Sequence, residues 1–252
     1  VAVLFFGLSL YTPPPDVEDT VFRILFVHSD FVLIDKYPGV SVHKDDGDTM
    51  LVHEVSRQLG GEPLYLVHRL DKMTSGLLLL ARSADAARAL SACFAERMVE
   101  KYYLAIGSKK PKKKQGMICG DMVRSRRSGW MLTTTQTNPA ITQFFSTAAE
   151  QGERLFICRP LTGKTHQIRV ALKSIGSAIV GDPIYHNSHD ADRGYLHAYA
   201  LAFPYAGEWH RFICDPRHDV IGEKWHESAI VHGIEMWSEP WSLDWPNIKR
   251  KP

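Results

Sequence analysis

An α+β domain is the fold class the sequence predicts, and three observations predict it. Short apolar runs of about four to eight residues, bounded by polar residues, Gly or Pro, recur along the chain and read as strands. Two stretches, 49–58 and 83–96, instead carry apolar residues at helical spacing behind a Thr or Ser that can cap them. The composition, 44% hydrophobic and 23% charged over 252 residues, is that of a soluble globular chain able to bury a sizeable core.

The opening VAVLFFGLSL lacks a basic stretch and a cleavage pattern and is too short to span a bilayer. It reads as a tail or a first strand, ended by Pro13 to Pro15. After the acidic linker Asp16 to Asp19, Val21 to Val27 and Phe31 to Asp35 read as strands joined by a turn at His28, Ser29 and Asp30. Pro38 and Gly39 punctuate the loop that follows. Thr49 is the expected N-cap of a helix from about Met50 to Gln58, with Leu51, Val55 and Leu59 on one face. Leu64 to Val67 and Leu77 to Ala81 read as buried strands framing a polar block. Ser83 then caps a helix to about Glu96, whose Ala87, Leu90 and Phe94 form a core-facing stripe.

Glu100 to Gly107 alternates as a strand should, with Tyr103 and Ala105 on one side and Tyr102 and Leu104 on the other. Lys109 to Lys114 reads as a solvated hairpin tip available to phosphates, and Met122 to Phe145 as further strand and loop. Arg154 to Arg159 is a strand leading to a Gly turn. Thr165 caps a helix from His166 to about Ile175, on which His166, Arg169, Val170 and Lys173 share one side. Gly181 to Tyr185 is a turn, and Leu196 to Phe203 a late strand. Beyond about Arg217 the chain holds Trp225, Trp237, Trp241 and Trp245, four of its six tryptophans, which read as packing on the core.

Net charge is only +2, so the distribution is more informative than the sum: basic residues gather at Lys109 to Lys114 and Arg124 to Arg127. The four cysteines are far apart and form no C-x-x-C pair, which argues against a disulfide framework or a zinc site and fits a reducing cytosol. His186 and His189 sit close, but no carboxylate or thiol set supports a metal there. No dinucleotide glycine motif and no P-loop is present, and neither a cofactor nor a metal is expected.

The chemistry concentrates in HRLDKMTSG, His68 to Gly76. It offers a base, a cation and a carboxylate within four residues, held between two apolar flanks. The bland alternative is an Asx-turn, with the Asp71 carboxylate accepting N–H bonds from Thr74 to Gly76. Together with KYYLA at Lys101 to Ala105 and LTGKTHQIR at Leu161 to Arg169, in this order, the motif resembles the RluA-type family of RNA pseudouridine synthases, over about Ile24 to Phe212.

The resemblance implies a mixed, mostly antiparallel sheet with flanking helices and a central cleft. With the proline stop and the change of character at about Arg217, the chain is expected to divide into a tail (1–18), a catalytic domain (19–216) and a Trp-rich extension packing on it (217–252). The resemblance also implies an isomerase acting on a specific uridine of rRNA or tRNA. The expected setting is the cytoplasm, with no membrane or protein partner and a monomer as the default. The C1′–N1 bond breaks, the uracil turns, C1′ joins C5, and one proton leaves C5. Asp71 is then the essential carboxylate, acting on the base, on C1′ or as a base toward a glycal, with Arg169 beside it. Tyr103 stacks on the target base and helps remove the C5 proton, although a phenol is a poor base at neutral pH.

Arg69 fills the gap left by the extruded uridine. His68, Thr74, Gly163, Lys164, His166 and Gln167 complete the expected substrate-binding set. Two departures stand out. The family places Lys directly before Pro where Tyr37 intervenes here, leaving Lys36 as a solvated or phosphate-facing lysine. It also more often has Arg at the Lys164 position, so a point charge replaces a bidentate contact. A catalytically silent RNA-binding protein on the same scaffold is the alternative; a hydrolase using His68 or His166 lacks a Ser or Cys nucleophile.

Overall fold

The computed structural model describes residues 21–42, 49–125, 129–186, 190–219 and 221–246. The expected N-terminal strand and acidic linker, Arg126 and Arg127, and His189 lie outside them. The first apolar runs form an antiparallel pair, β1 (Phe22–Val27) and β2 (Phe31–Lys36), whose turn is closed by the His28 N–H donating to Phe31 O at 2.8 Å. Helix α1 (Thr49–Gln58) buries Leu51 and Val55. Strands β3 (Tyr65–Leu66) and β4 (Ser75–Ala81) flank the polar block, and α2 (Ala84–Ala95) follows with the Ser83 hydroxyl accepting from Ala86 N–H. Then come β5 (Glu100–Gly107), β6 (Gln115–Gly120), the small pair β7 (Met122–Arg124) and β8 (Trp130–Leu132), β9 (Ala140–Ala148) and β10 (Arg154–Pro160). Helix α3 (Gln167–Ser174), strands β11 (Leu196–Tyr205) and β12 (Glu208–Ile213), and helix α4 (Ser228–Met236) complete the order.

Ten strands form one sheet in the order β1-β2-β4-β11-β5-β10-β9-β6, with β3 beside β4 and β12 beside β11. Every pairing is antiparallel except β4 with β11, which meet only at Ser75↔His197 and Gly76↔Ala198. Beyond that point β4 takes β3 as its neighbour and β11 takes β12, so the sheet forks. Gly76 makes the junction possible: its φ is +100°, and a Cβ there would lie on the Ala198 carbonyl. The fork separates two apolar cores, one on β1, β2, β4, α1 and α2, the other on β5, β9, β10, α3 and α4, and Tyr103 packs against both.

Several expectations change. Tyr65 and Leu66 are exposed, because β3 is a two-residue strand at the edge of the fork. The lysine run is no hairpin tip: it joins β5 to β6, which β10 and β9 keep apart, though its lysines are exposed as expected. Helix α3 starts at Gln167 rather than His166, and His166, at φ 58°, stands at the cap position with no side-chain cap bond, so Thr165 does not cap it. Lys173 is exposed, away from buried Arg169. Lys36 is fully buried rather than solvated: its ammonium donates to the carbonyls of Tyr37 (3.0 Å), Val40 (2.8 Å) and Lys72 (3.3 Å), tying the Pro38 loop to the Asp71 loop. Burial, then Arg193, pushes its pKa down to about 7.

Trp225, Trp237 and Trp245 are buried in the second core and Trp241 packs on it, as the sequence predicts for that segment. Among the described residues no helix is long and apolar enough to cross a membrane.

Candidate active site

A cleft of about 840 Å³ opens at the fork, walled by the Asp71 loop, the start of β5 and the turn between β10 and α3. Local turn geometry frees the carboxylate of Asp71. The loop closes backbone to backbone, Thr74 N–H donating to Asp71 O at 2.9 Å, so the side chain is not what closes that turn. Asp71 Oδ2 instead accepts from Arg169 Nη1 at 3.0 Å, and its side chain is 24% exposed toward the cleft. Arg169, on the first turn of α3, is itself locked: Nε and Nη2 donate to the two oxygens of Asp182 at 2.7 and 2.9 Å.

Asp182 is buried, and its Oδ1 also accepts the N–H groups of Ile184 and Tyr185 at 2.9 and 3.0 Å. The Tyr185 ring lies under the guanidinium, 5.2 Å from it, while its hydroxyl accepts from Trp130 N–H at 2.8 Å. His166 Nδ1 is 3.0 Å from the same hydroxyl. Burial works against the Arg169 cation, but its bonds to Asp182 and Asp71 outweigh that and hold its pKa above the ordinary value. A permanent, immobile cation therefore faces one oxygen of Asp71, leaving the carboxylate aimed into the cleft.

Tyr103 on β5 lines the same cleft, half-buried between the two cores. Burial, and then the Asp71 charge, pushes its phenol well above the ordinary range. It is a flat, protonated ring beside a carboxylate, suited to stacking and hydrogen-bond donation and poorly suited to removing a proton.

The profile of the RNA pseudouridylate synthase family matches residues 30–174 of this chain. The chain belongs to that family. An uncharacterised RNA pseudouridine synthase of Haemophilus influenzae is 46% identical over 216 residues, covering 85% of this chain and 95% of that one. Ribosomal large subunit pseudouridine synthase D of Zymomonas mobilis is 30% identical over 212 residues, 78% of this chain and 67% of that one. Among solved structures, human RNA pseudouridylate synthase domain containing 4 superposes with a TM-score of 0.65 at 26% identity, covering 89% of this chain and 95% of that one. The protein is thus an RNA pseudouridine synthase, an isomerase that converts uridine to pseudouridine within RNA.

The synthase gathers every residue expected from its three motifs around this cleft, but it uses them differently. Arg69 and Gly163 are exposed on its walls, and Lys164 donates from Nζ to Asn138 O at 2.6 Å. Thr74 is 2% exposed. The Gln167 amide is spent internally: Oε1 accepts from Thr162 Oγ1 and Lys164 N–H, and Nε2 donates to Ile141 O and Thr142 Oγ1, bracing the Gly163 turn. His68 Nε2 accepts from Leu79 N–H at 3.0 Å and its ring stacks on Phe94, 4.5 Å away. Burial, then Lys101, holds its pKa down to about 3, so it carries no charge at neutral pH.

Sequence reasoning missed Asp182 and Tyr185, which it read as a turn. The available signal was an Asp before Pro at the end of an apolar run, where a buried carboxylate needs a cation. Gly181 places it: at φ +72°, a Cβ there would lie on the Arg193 carbonyl.

Proposed function

We propose that this synthase isomerises a specific uridine of ribosomal RNA, with Asp71 as its essential carboxylate. The observation that carries the assignment is the Asp182–Arg169–Asp71 chain, in which a buried, doubly anchored guanidinium fixes a single cleft-facing carboxylate 3.0 Å away. The name of the Zymomonas mobilis relative, a ribosomal large subunit pseudouridine synthase, favours ribosomal over transfer RNA as the substrate.

In this reading the target uridine is extruded into the cleft at a cost of a few kcal/mol for unstacking. Arg69 occupies the vacated space in the RNA, and Tyr103 stacks on the uracil. Asp71 assists cleavage of the C1′–N1 bond, the base turns between Tyr103 and the Gly163 turn, and C1′ joins C5. The proton that leaves C5 is balanced by one gained at N1, so the reaction closes without an oxidant or a second substrate.

The test is pseudouridine mapping of total RNA from a strain lacking the gene, complemented with wild type or Asp71→Asn. Loss of one ribosomal site, restored by wild type alone, is the expected result. A lost site in tRNA would move the substrate assignment, and restoration by Asp71→Asn would remove Asp71 from the chemistry. The purified variant is expected to lose at least about 10⁴-fold in kcat while keeping its fold.

A further inference from the structure

One wall of the cleft carries three side chains that the isomerisation does not use. Arg97 and Lys101 line it and have no ion-pair partner among the described residues. Their neighbour Arg159 differs, being held by Glu100 at 2.9 Å. Trp209, on β12, lines the same cleft and is 56% exposed, with no ring or cation stacked on it among the described residues; it lies opposite Pro204 of β11, on which β5 pairs Glu100 with Ala202 and Lys101 with Leu201. A large indole left bare inside a polar cleft is an unsatisfied surface.

Backbone geometry singles out Arg97. The turn after α2 is a Schellman motif: Met98 N–H donates to Cys93 O at 2.9 Å and Arg97 N–H to Phe94 O at 3.2 Å. This places Arg97 at the left-handed position, φ 59°, where glycine is the unstrained choice. The chain instead spends the strain on a cation that makes no internal ion pair, exposed at the cleft mouth. His166, at φ 58°, also lines the cleft, so among the described residues two of the four non-glycine residues with positive φ border it.

Lys101 points inward from the same side: a Cβ built on Gly163 would lie 3.7 Å from its Nζ. Its ammonium faces the turn across the cleft, and burial, then Arg97, lowers its pKa, as expected for two cations lacking a counter-charge. The cleft's 840 Å³ is in the roughly 300–1,000 Å³ range of pockets that hold drug-sized ligands, which are larger than one uracil.

We infer that this wall is a second nucleotide subsite: Trp209 stacks on the base next to the target uridine, and Arg97 with Lys101 takes the phosphate between the two. Bare indole beside unpaired cations is the arrangement that holds single-stranded nucleic acid, because every base has a π-face and every linkage a negative charge. The subsite rests on the substrate reading above and deepens it: the synthase grips two extruded nucleotides rather than one.

The probe is total RNA from the strain lacking the gene, with conversion rate measured against RNA concentration and binding measured by filter retention across a salt series. Trp209→Ala is expected to raise KM about tenfold, the loss falling on KM rather than kcat, with Trp209→Phe recovering most of it. Arg97→Gly removes the charge and the strain together. It is expected to raise KM several-fold and reduce the salt slope of log K by about one, with no fall in melting midpoint; Arg97→Lys restores the slope. Unchanged KM and slope in both variants, with wild type active on the same RNA, would overturn the subsite and leave the substrate reading standing. A wild type that converts no uridine in this RNA would overturn the substrate reading, and the subsite with it.

Discussion

Arg169 and Arg193 reach the two ends of the Asp71 loop from different elements, and both are buried. Arg169 binds Asp182 through two donors and gives its third to Asp71, whose side chain remains partly open to the cleft. Arg193 is saturated from within: it pairs with Asp219, donates to Ser75 Oγ at 2.5 Å, and its remaining bonds go to the carbonyls of Gly194 and Ile221. Ser75 Oγ in turn donates to Asp219 Oδ2 at 2.8 Å and lies 2.7 Å from His197 Nδ1. Asp35, His197 and Asp219 bring ligand-type atoms within 4.8 Å of one another, but the Arg193 guanidinium already supplies a cation there. The same pair, a buried arginine on a buried aspartate, therefore yields two outputs. Where the arginine's bonds all go to inner partners the network fixes the backbone beneath the loop; where one nitrogen is left over it fixes a carboxylate that lines the cleft.

The sharpest way to break this contrast is at Arg193. Arg193→Met leaves Asp219 buried without its cation, and the expected cost is about 3–5 kcal/mol in urea unfolding. The fraction that remains folded is expected to keep its kcat within a few-fold. Adding Asp219→Asn to the same chain should recover part of the stability, because the uncompensated charge goes with it. Loss of turnover at unchanged stability would mean that the inner network also serves the chemistry.

A smaller effect is expected on the other side. Asp182→Asn keeps an acceptor for Ile184 and Tyr185 but weakens the hold on Arg169, whose Asp71 contact then depends on a guanidinium free to tilt. Misplacement on the scale of about 1 Å costs roughly 10²-fold in kcat, which is the expected loss, with KM little changed. A stability loss matching that of Arg193→Met, without the kcat effect, would erase the distinction between the two arginines.

How much of this was legible follows the range of the interactions. Asp71, Tyr103 and Arg169 lie within motifs whose residue types state their chemistry, and the strand alternation of Glu100–Gly107 puts Tyr103 on a defined side. Asp182 stands alone in a turn, and nothing local says that Arg169 needs it. Ser75 and His197 are 122 residues apart, and the parallel contact of β4 with β11 that joins them leaves no periodicity to read. Lys36 looked solvated because a lysine usually is; only the folded loop shows three carbonyls converging on it. The exposure of Trp209 is likewise a property of the fork, invisible in a strand where any residue could face the core.

His68 gives the mildest test, and its direction separates a structural from an ionisable role. Its Nε2 must be unprotonated to accept the Leu79 N–H, and its pKa of about 3 in the folded chain lies below the value near 6.5 of an unfolded histidine. Between those two values the unfolded chain binds the extra proton, so stability is complete above about pH 6.5 and falls as pH drops toward about 3. Gln at this position can accept the same N–H but does not titrate. At about pH 8, His68→Gln is expected to cost on the order of 1 kcal/mol, from lost stacking on Phe94 and imperfect bond geometry. On acidification wild type should lose stability faster, and the urea midpoints of the two proteins should converge or cross by about pH 4. Carboxylates that titrate in both chains cancel in the difference. A gap that stays constant from about pH 8 to about pH 4 would mean that the ring is open to protons in the folded state, and would return His68 to the set of residues able to carry charge toward the RNA.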